Sequence, residues 1–272
     1  MTRRDGKQYV IRGGLEGRER LRVLARVTEP TTTSFLDRLG IAPGMRCLDV
    51  GCGGGDVTVE LARRVGPGGR AVGVDIDDTV LAVARGEVEA EGTRNVEFRA
   101  LDVRTEACGS DWDVVYARFL LTHLADPEST LAALVDHLRP GGVLAVEDID
   151  FSGGFMWPPS EAFDRYAALY AAIVRRRGGD PDIGRRLPLL LAAAGLEGVR
   201  MKVVQPMGTE GDVKLLNPIT MEAVADTVVK DGLATRVEVE AVVDELHRRA
   251  ADPGTVTGLP RIVQAWGRRP GA

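Results

Sequence analysis

The sequence is poor in cysteine and in aromatic residues, and it has no long apolar run. Its three cysteines form neither a Cys-x-x-Cys pair nor a Cys/His cluster, so a disulfide framework and a structural zinc site lack support, and we expect no metal. No stretch approaches the roughly 20 apolar residues that cross a bilayer. The first ten residues also lack the apolar segment of a signal peptide. We therefore expect a cytoplasmic protein that does not associate with a membrane.

The sequence also lacks an excess of positive charge. Its 35 basic and 40 acidic side chains give a formal net charge of −5, which offers no broad attraction for phosphate backbones and disfavours nucleic acid as a partner. With 44% hydrophobic and 28% charged residues, the 272-residue chain has the composition of a globular protein. Disorder, collagen and coiled coil are thereby excluded, and the length suits one large α/β domain or two small ones.

Short β-branched runs alternate with amphipathic helical stretches from Arg46 onward, the pattern of a parallel sheet covered on both faces. The first five predicted strands are Arg46–Cys52, Arg70–Ile76, Val96–Val103, Trp112–Phe119 and Val143–Ile149. Helical periodicity fills the intervals Asp56–Val65, Asp78–Glu91 and Pro127–Leu138. The elements that follow are a helix over Ile183–Ala194, a strand near Val199–Gln205 and a final strand, Arg261–Trp266. The predicted fold class is α/β, a doubly wound, Rossmann-like sheet of seven mostly parallel strands.

The core comprises residues 41–150, and the helical segments outside it are expected to form a substrate cap. Residues 1–40 form an N-terminal cap segment with two short helices, Glu16–Val27 and Pro30–Leu39, separated at Glu29–Pro30. Residues 151–272 complete the same domain and carry helical insertions at about 151–180 and 211–252. Loops at the carboxyl ends of the strands share one edge of such a sheet, where ligands bind. These segments are therefore candidate cavity walls; the alternative is that they pad the flank of the sheet.

A glycine-rich turn, Gly51–Gly55, ends the first strand and leads directly into a helix. Its glycines allow the backbone to approach a ligand closely. Asp56 stands where a dinucleotide fingerprint has its third glycine, and an acid there would repel the pyrophosphate of NAD. The turn therefore favours a cofactor without phosphate. Asp75, at the end of the second strand, is placed to accept the hydroxyls of a ribose.

Five segments, in this order, resemble the class I S-adenosylmethionine-dependent methyltransferases. They are LDVGCGGGDVTVELAR, VGVDID, ALDV, WDVVYARFLLTHLADP and LRPGGVLAVED. Within that superfamily the chain is most similar to small-molecule enzymes related to the ubiquinone/menaquinone C-methyltransferases and to bacterial natural-product methyltransferases. The resemblance implies transfer of a methyl group from S-adenosylmethionine to a small organic acceptor, in secondary-metabolite or cofactor biosynthesis.

The resemblance also implies a set of cofactor-binding residues. Those that would hold the methionine portion are Asp49, Gly51, Cys52, Gly53 and Gly55, with Arg118 beside the methionine tail. Those that would hold the nucleoside are Asp75 on the ribose, Ile76 on the adenine face, and Asp102 and the Val103 amide at the adenine edge. Tyr9 resembles an N-terminal tyrosine that closes over the cofactor.

Three residues are candidates for catalysis. His123 follows the fourth strand and is the best general base by its ordinary pKa, and such a base adds about 10²–10⁴-fold when the acceptor must lose a proton. The alternative is that His123 packs against or caps the next helix. Glu147 and Asp148 lie at the end of the fifth strand, where alternation sends them to opposite faces and one of them could meet the acceptor. The alternative there is a solvated strand end.

The insertion after the fifth strand suggests the kind of acceptor. It is unusually aromatic for a chain with only 5% aromatic residues, and it carries Phe151, Phe155, Trp157, Tyr166 and Tyr170, together with Met156. Such walls suit a planar aromatic or polyketide-like acceptor, although core packing explains the same residues. A nucleic-acid base methyltransferase would need an Asn-Pro-Pro-Tyr-like turn where this chain has Tyr116–Phe119. A protein methyltransferase, a non-catalytic S-adenosylmethionine-binding protein and a homodimer stay open.

Overall fold

A computed structural model describes residues 14–271 of the chain as ten strands and eight α-helices. The strands are β1 (Arg46–Val50), β2 (Arg70–Asp75), β3 (Val96–Ala100), β4 (Trp112–Arg118), β5 (Leu138–Asp150), β6 (Phe155–Trp157), β7 (Glu197–Val204), β8 (Met207–Gly208), β9 (Val256–Gly258) and β10 (Arg261–Arg268). The helices are α1 (Gly14–Leu36), α2 (Asp56–Val65), α3 (Asp78–Glu91), α4 (Pro127–His137), α5 (Glu161–Arg176), α6 (Leu187–Ala193), α7 (Asp212–Lys230) and α8 (Arg236–Ala251).

Seven of the strands form one sheet in the order β3-β2-β1-β4-β5-β10-β7. β1 pairs in parallel with β2 and with β4, and β5 continues the parallel arrangement beside β4. β10 is antiparallel to both of its neighbours, β5 and β7. The predicted doubly wound sheet of seven mostly parallel strands is therefore confirmed. Its strand order reverses between β1 and β4, and ligands bind at such a point in open α/β sheets.

Apolar side chains cover both faces of the sheet. On one face, Phe35 and Leu36 at the end of α1 pack with Leu61 of α2 against Tyr116 and the neighbouring strand residues. On the other face, residues of α4 and α6 pack against alternate residues of β1, β4 and β5. Because successive strand residues point to opposite faces, the near-continuous apolar runs of β1 and β4 are buried on both sides.

The N-terminal segment differs from its prediction. Two short helices were expected to be separated at Glu29–Pro30, but α1 runs without a break through Pro30. Proline cannot donate a backbone hydrogen bond, which costs an isolated helix about 3 kcal/mol. The tertiary contacts of Thr28, Thr32 and Phe35, all buried against the sheet side of the helix, hold the chain helical on both sides of the proline.

The C-terminal half contains a second apolar cluster, formed by α5, α7 and α8. A small sheet, β6-β9-β8, connects this cluster to the main sheet, and α7 also packs against α1. The helix predicted over Ile183–Ala194 is a 3₁₀ turn, Ile183–Arg186, followed by α6. Over residues 14–271, the structure has no helix that is both long and apolar enough to span a membrane.

Candidate active site

A cavity of about 530 Å³ opens at the carboxyl ends of β1, β2 and β4, within the size range of small-molecule sites. One end is formed by the glycine-rich turn and the loops after β2 and β3, and the other by α1, α5 and α7. The predicted site residues that line it are Asp49, Gly51, Cys52, Gly53, Asp75, Ile76, Asp102, Val103, Arg118 and His123. Gly55, Glu147 and Asp148 are not among the lining residues, and Tyr9 lies outside the described residues.

The glycine-rich turn folds back against β2 in a conformation that needs glycine. The amide of Gly51 donates to the Val74 carbonyl at 2.8 Å, and Gly51 has a φ of 69°. A Cβ at Gly51 would lie 3.2 Å from the Leu120 side chain, and one at Gly55, where φ is 83°, would lie 2.5 Å from the Phe98 ring. Larger residues would displace both neighbours, so glycine allows the turn to place its bare backbone at the cavity wall.

The Asp75 carboxylate is fixed at the tip of β2 by backbone amides. One oxygen accepts from the Gly53 amide at 2.9 Å and the other from the Asp77 amide at 3.0 Å. Burial raises the pKa of Asp75, and these two amides partly oppose the rise. Each carboxylate oxygen can accept more than one hydrogen bond, so Asp75 can also receive a pair of ligand hydroxyls.

Asp49 places a buried carboxyl group on the floor of the cavity. The Thr58 hydroxyl donates to it at 2.6 Å. Burial raises the pKa of Asp49 to about 6, against the opposing effects of Thr58 and of the positive charge of Arg118. A positively charged ligand beside Asp49 would favour its ionised form, so this carboxyl suits a cationic partner.

The loops after β2 and β3 present an apolar surface beside a polar edge. Ile76 is 43% exposed and lines the cavity together with Val103. The Asp102 carboxylate, on the same loop as Val103, accepts from the Arg104 guanidinium at 2.8 and 2.7 Å. Ile76 and Val103 can pack on a flat ring, while Asp102 is held in place by Arg104.

Arg118 connects the end of β4 to α1. Its guanidinium donates to the hydroxyls of Thr28 at 3.0 Å and Thr32 at 3.2 Å. Both of these hydrogen-bond partners are neutral, and the positive charge of Arg118 acts on the nearby carboxyl group of Asp49. Phe119, the next residue, has a φ of 54°, which is uncommon for a non-glycine residue and typical of strained positions at functional sites.

His123 lines the cavity on the 3₁₀ turn Leu121–His123. Burial and, to a smaller extent, the nearby positive charge of Arg20 lower its pKa to about 4. The imidazole is therefore neutral at neutral pH. A neutral ring can accept a proton, but its low pKa makes it a weaker base than an ordinary histidine.

The placement of Glu147 and Asp148 corrects the expectation that one of them meets the acceptor. Glu147 is hydrogen-bonded to Tyr116 and accepts from Gln264 at 2.9 Å, on the face covered by α1. Asp148, on the opposite face, accepts from the amides of Thr122 at 3.1 Å and Ile149 at 2.8 Å. Both carboxyl groups are fully buried and bind protein groups, so neither of them faces the cavity. Among the described residues, no three His, Cys, Asp or Glu side chains could hold a metal ion together.

The cap end of the cavity is partly aromatic. Phe151 and Tyr170 stack with ring centroids 4.2 Å apart, and Tyr166 packs edge-on against Phe151 at 5.9 Å. All three line the cavity, whereas Phe155 and Trp157 are exposed on β6. The aromatic insertion thus divides into a cavity wall and a surface strand.

Sequence analysis missed several residues that the tertiary structure brings to the cap end of the cavity. They are Arg20 on α1, Leu120 after β4, and Asn217 and Thr220 on α7. Arg20 and Asn217 belong to helices outside the recognisable motifs. The three-residue spacing of Asn217 and Thr220 puts them on one helical face, but nothing in the sequence indicates that this face meets α1 and α5.

The family model for a methyltransferase domain matches residues 41–174 of the chain. The match begins before β1 and ends within α5, so it includes the glycine-rich turn, Asp75, His123 and one aromatic wall of the cavity. Residues 41–174 of the chain are therefore similar to a methyltransferase domain, in agreement with the resemblance of the five ordered sequence segments.

Two curated relatives and one solved structure extend this comparison. The ubiquinone biosynthesis O-methyltransferase of Hahella chejuensis is 34% identical over 55% of this chain and 60% of its own length. The ubiquinone/menaquinone biosynthesis C-methyltransferase of Vibrio parahaemolyticus is 33% identical over 48% of this chain and 51% of its own length. The chain thus matches only about half to three-fifths of each relative. Phosphoethanolamine N-methyltransferase 2 of Haemonchus contortus, solved with S-adenosylhomocysteine, shares the fold, with a TM-score of 0.55, 18% identity, and coverage of 97% of this chain and 55% of that one.

Proposed function

We propose that this chain transfers the methyl group of S-adenosylmethionine to a small organic acceptor. The observation that carries the proposal is the arrangement of the glycine-rich turn and Asp75, whose carboxylate is fixed by the Gly53 amide at the rim of the cavity. The methyltransferase domain and the two ubiquinone-pathway relatives support the same activity.

The residues of this end of the cavity fit S-adenosylmethionine. Asp75 would accept the ribose hydroxyls, and Ile76 and Val103 would cover the adenine. Asp49, whose buried carboxyl group favours a cationic neighbour, would lie near the ammonium and sulfonium charges. Arg118 would pair with the methionine carboxylate, because Thr28 and Thr32 orient its guanidinium without neutralising it. Gly51, Cys52 and Gly53 would contribute backbone contacts to the methionine portion.

When bound, S-adenosylmethionine supplies a methyl group that is already activated toward nucleophiles. The protein then has to hold the acceptor atom in line with that group, and such positioning can contribute about 7–11 kcal/mol to lowering the barrier. His123, neutral at neutral pH, would take the proton of an acceptor hydroxyl. Asp148 would support it by fixing the backbone of the turn that carries it. The helices α1, α5 and α7 would exclude water.

The shape of the cavity favours a small acceptor. Its cap end is closed by three helices and lined by Phe151, Tyr166 and Tyr170, which suits a flat, aromatic or polyketide-like molecule more than a protein or nucleic-acid surface. The relatives methylate oxygen in one case and carbon in the other, so the acceptor atom stays open. A role in cofactor or secondary-metabolite biosynthesis, a cytoplasmic location and a homodimer remain predictions.

Titration calorimetry tests the cofactor directly. We expect S-adenosylmethionine and S-adenosylhomocysteine to bind with micromolar dissociation constants and NAD not to bind. The reverse result would contradict the proposal.

A second experiment looks for the acceptor. The protein is incubated with isotope-labelled S-adenosylmethionine and an extract of its own organism, and mass spectrometry searches for a labelled small molecule. Label recovered only in protein or nucleic acid would contradict the acceptor class.

A further inference from the structure

Arg20 projects from α1 into the cap end of the cavity. Its charge lies close to His123, whose pKa it helps to lower, and close to Tyr166, where it opposes the rise in pKa that burial causes. Within residues 14–271, the Nε atom of Arg20 is buried and has no hydrogen-bond partner. A buried guanidinium N–H without a partner is costly, so Arg20 is in place for an acceptor group that the protein itself does not provide.

Asn217 presents a second donor in the same part of the cavity. It lies on α7, is only 2% exposed and lines the cavity, and its Nδ2 atom is buried without a partner among the described residues. Thr220, three residues further on the same helix, lines the cavity and, like Arg20, opposes the rise in the pKa of Tyr166 that burial causes. Arg20, Tyr166, Thr220 and Asn217 therefore surround one region of the cavity.

The charges that line the cavity are separated by location. Its six carboxyl side chains, Asp49, Asp56, Asp75, Asp77, Asp78 and Asp102, all come from β1 to β3 and the segments that follow them. Of the lining arginines, Arg104 pairs with Asp102, and Arg118 lies with Thr28 and Thr32 beside the glycine-rich turn. The described lining residues from α5 and α7 include no carboxylate. Arg20 therefore supplies a positive charge to the cap end of the cavity, beside the unpartnered donor of Asn217.

We propose that Arg20 and Asn217 bind an anionic oxygen group of the methyl acceptor, so that the acceptor is a flat apolar molecule bearing a carboxylate or a comparable anion. This inference rests on the proposed function, because it assigns the other end of the same cavity to the cofactor. Arg20 supplies a charged fork of donors and Asn217 a neutral one, a combination suited to a carboxylate. Phe151 and Tyr170 would pack against the apolar body of the acceptor. The anion would therefore orient the acceptor relative to the glycine-rich turn.

Calorimetry with matched probes tests this assignment. The protein is saturated with S-adenosylhomocysteine and titrated with benzoate, 2-naphthoate and 4-hydroxycinnamate, and with the methyl ester of each. We expect at least one carboxylate to bind about tenfold tighter than its ester, the usual scale for a hydrogen bond to a charged group. In R20Q and in N217A that preference should fall severalfold, and R20K should retain part of it because the charge remains.

Arg22 provides the matched control. It lies on the same helix but pairs with Glu87 on the surface, so R22Q makes the same change of charge away from the cavity and should keep the full preference. The affinity for S-adenosylhomocysteine should be equal within about twofold in R20Q and in the unaltered protein, which also shows that the variant is folded.

Three results would overturn the inference. In the first, no carboxylate binds tighter than its ester to the unaltered protein. In the second, R20Q and N217A keep the full preference. In the third, R20Q loses S-adenosylhomocysteine affinity while R20K retains it, which would assign Arg20 to the methionine carboxylate. Failure of the unaltered protein to bind S-adenosylhomocysteine would instead refute the proposed function and this inference with it.

Discussion

At the scale of single residues, Asp75 serves both the turn and the expected ligand. Its replacement by alanine removes the acceptor for the Gly53 amide and, in the proposed complex, the acceptor for the ribose hydroxyls. We expect Asp75→Ala to weaken binding of S-adenosylhomocysteine by about 1.5–3 kcal/mol, the scale of hydrogen bonds to a charged group. Calorimetry measures the change, with Asp113→Ala as the control, because Asp113 pairs with Arg139 away from the cavity. An unchanged affinity in Asp75→Ala would remove Asp75 from the site.

The role of His123 can be separated from packing by its effect on turnover. We expect His123→Gln to lower turnover at least tenfold, the lower part of the usual range for general-base catalysis, with cofactor affinity unchanged. His137→Gln is the matched control, since His137 lies on α4 outside the cavity lining. Because the pKa of His123 is lowered to about 4, it stays neutral above about pH 5 and should give no acidic decline in kcat/KM there. Equal turnover of both variants would make His123 a packing residue.

The sequence could place a residue at the cavity where that residue belongs to a local motif. Gly51, Asp75 and Ile76 follow strand ends directly, so a glycine-rich turn and the position of a strand suffice to bring them to one cavity. Arg20 and Asn217 are 197 positions apart and meet the cavity only because α1 and α7 pack together. No local pattern in the sequence contains that information.

At the scale of elements, α1 is fastened to the sheet by hydroxyl groups. Thr32 is buried and accepts from Arg118, so Thr32→Val removes one partner of a charged group while keeping the side-chain shape. We expect the free energy of unfolding, measured by urea denaturation, to fall by about 1–3 kcal/mol.

Thr33→Val on the same helix is the control for this prediction. Thr33 is only partly buried, so its replacement should change the free energy of unfolding by less than about 0.5 kcal/mol. Equal effects of the two variants would show that the Arg118 contact to Thr32 does not fasten α1.

Prediction of the elements failed where long-range contacts outweigh local preference. Pro30 indicates a helix boundary, yet packing against the sheet keeps α1 continuous. The strands β6, β8 and β9 have only two or three residues each, too few for a pattern of alternation to be visible. The strands of the main sheet are longer and carry apolar runs, which is why their order along the chain could be predicted.

At the scale of the whole molecule, buried acids should make the fold less stable as the pH rises through neutrality. Burial raises the pKa of Asp148 to about 7 and that of Asp49 to about 6, whereas an unfolded aspartate titrates near about 3.9. Between these values the native state binds more protons than the unfolded state, so the free energy of unfolding falls as the pH rises. His123 has the opposite effect, because its pKa is lowered in the native state and the unfolded state therefore binds the extra proton. The resulting increase in the free energy of unfolding is largely complete by about pH 7, since an unfolded histidine titrates at about pH 6.5.

From pH 6 to pH 8, Asp148 therefore dominates this dependence. We expect the free energy of unfolding, measured by urea denaturation, to fall by about 1 kcal/mol over that interval. Asp148→Asn cannot titrate and should flatten the dependence, although it gives up part of the contact to the amides of Thr122 and Ile149. A dependence as steep in Asp148→Asn as in the unaltered protein would contradict the assignment.

The antiparallel strand β10 lies between β5 and β7, although β7 precedes it in the chain. During synthesis, β7 leaves the ribosome with no neighbour to bond, because the strand that joins it to the rest of the sheet has still to be made. A nascent chain that stops short of Arg261 would consequently lack two strands rather than one. Pairing of this outer half must wait for translation of the last strand, whereas β1 to β5 can already associate.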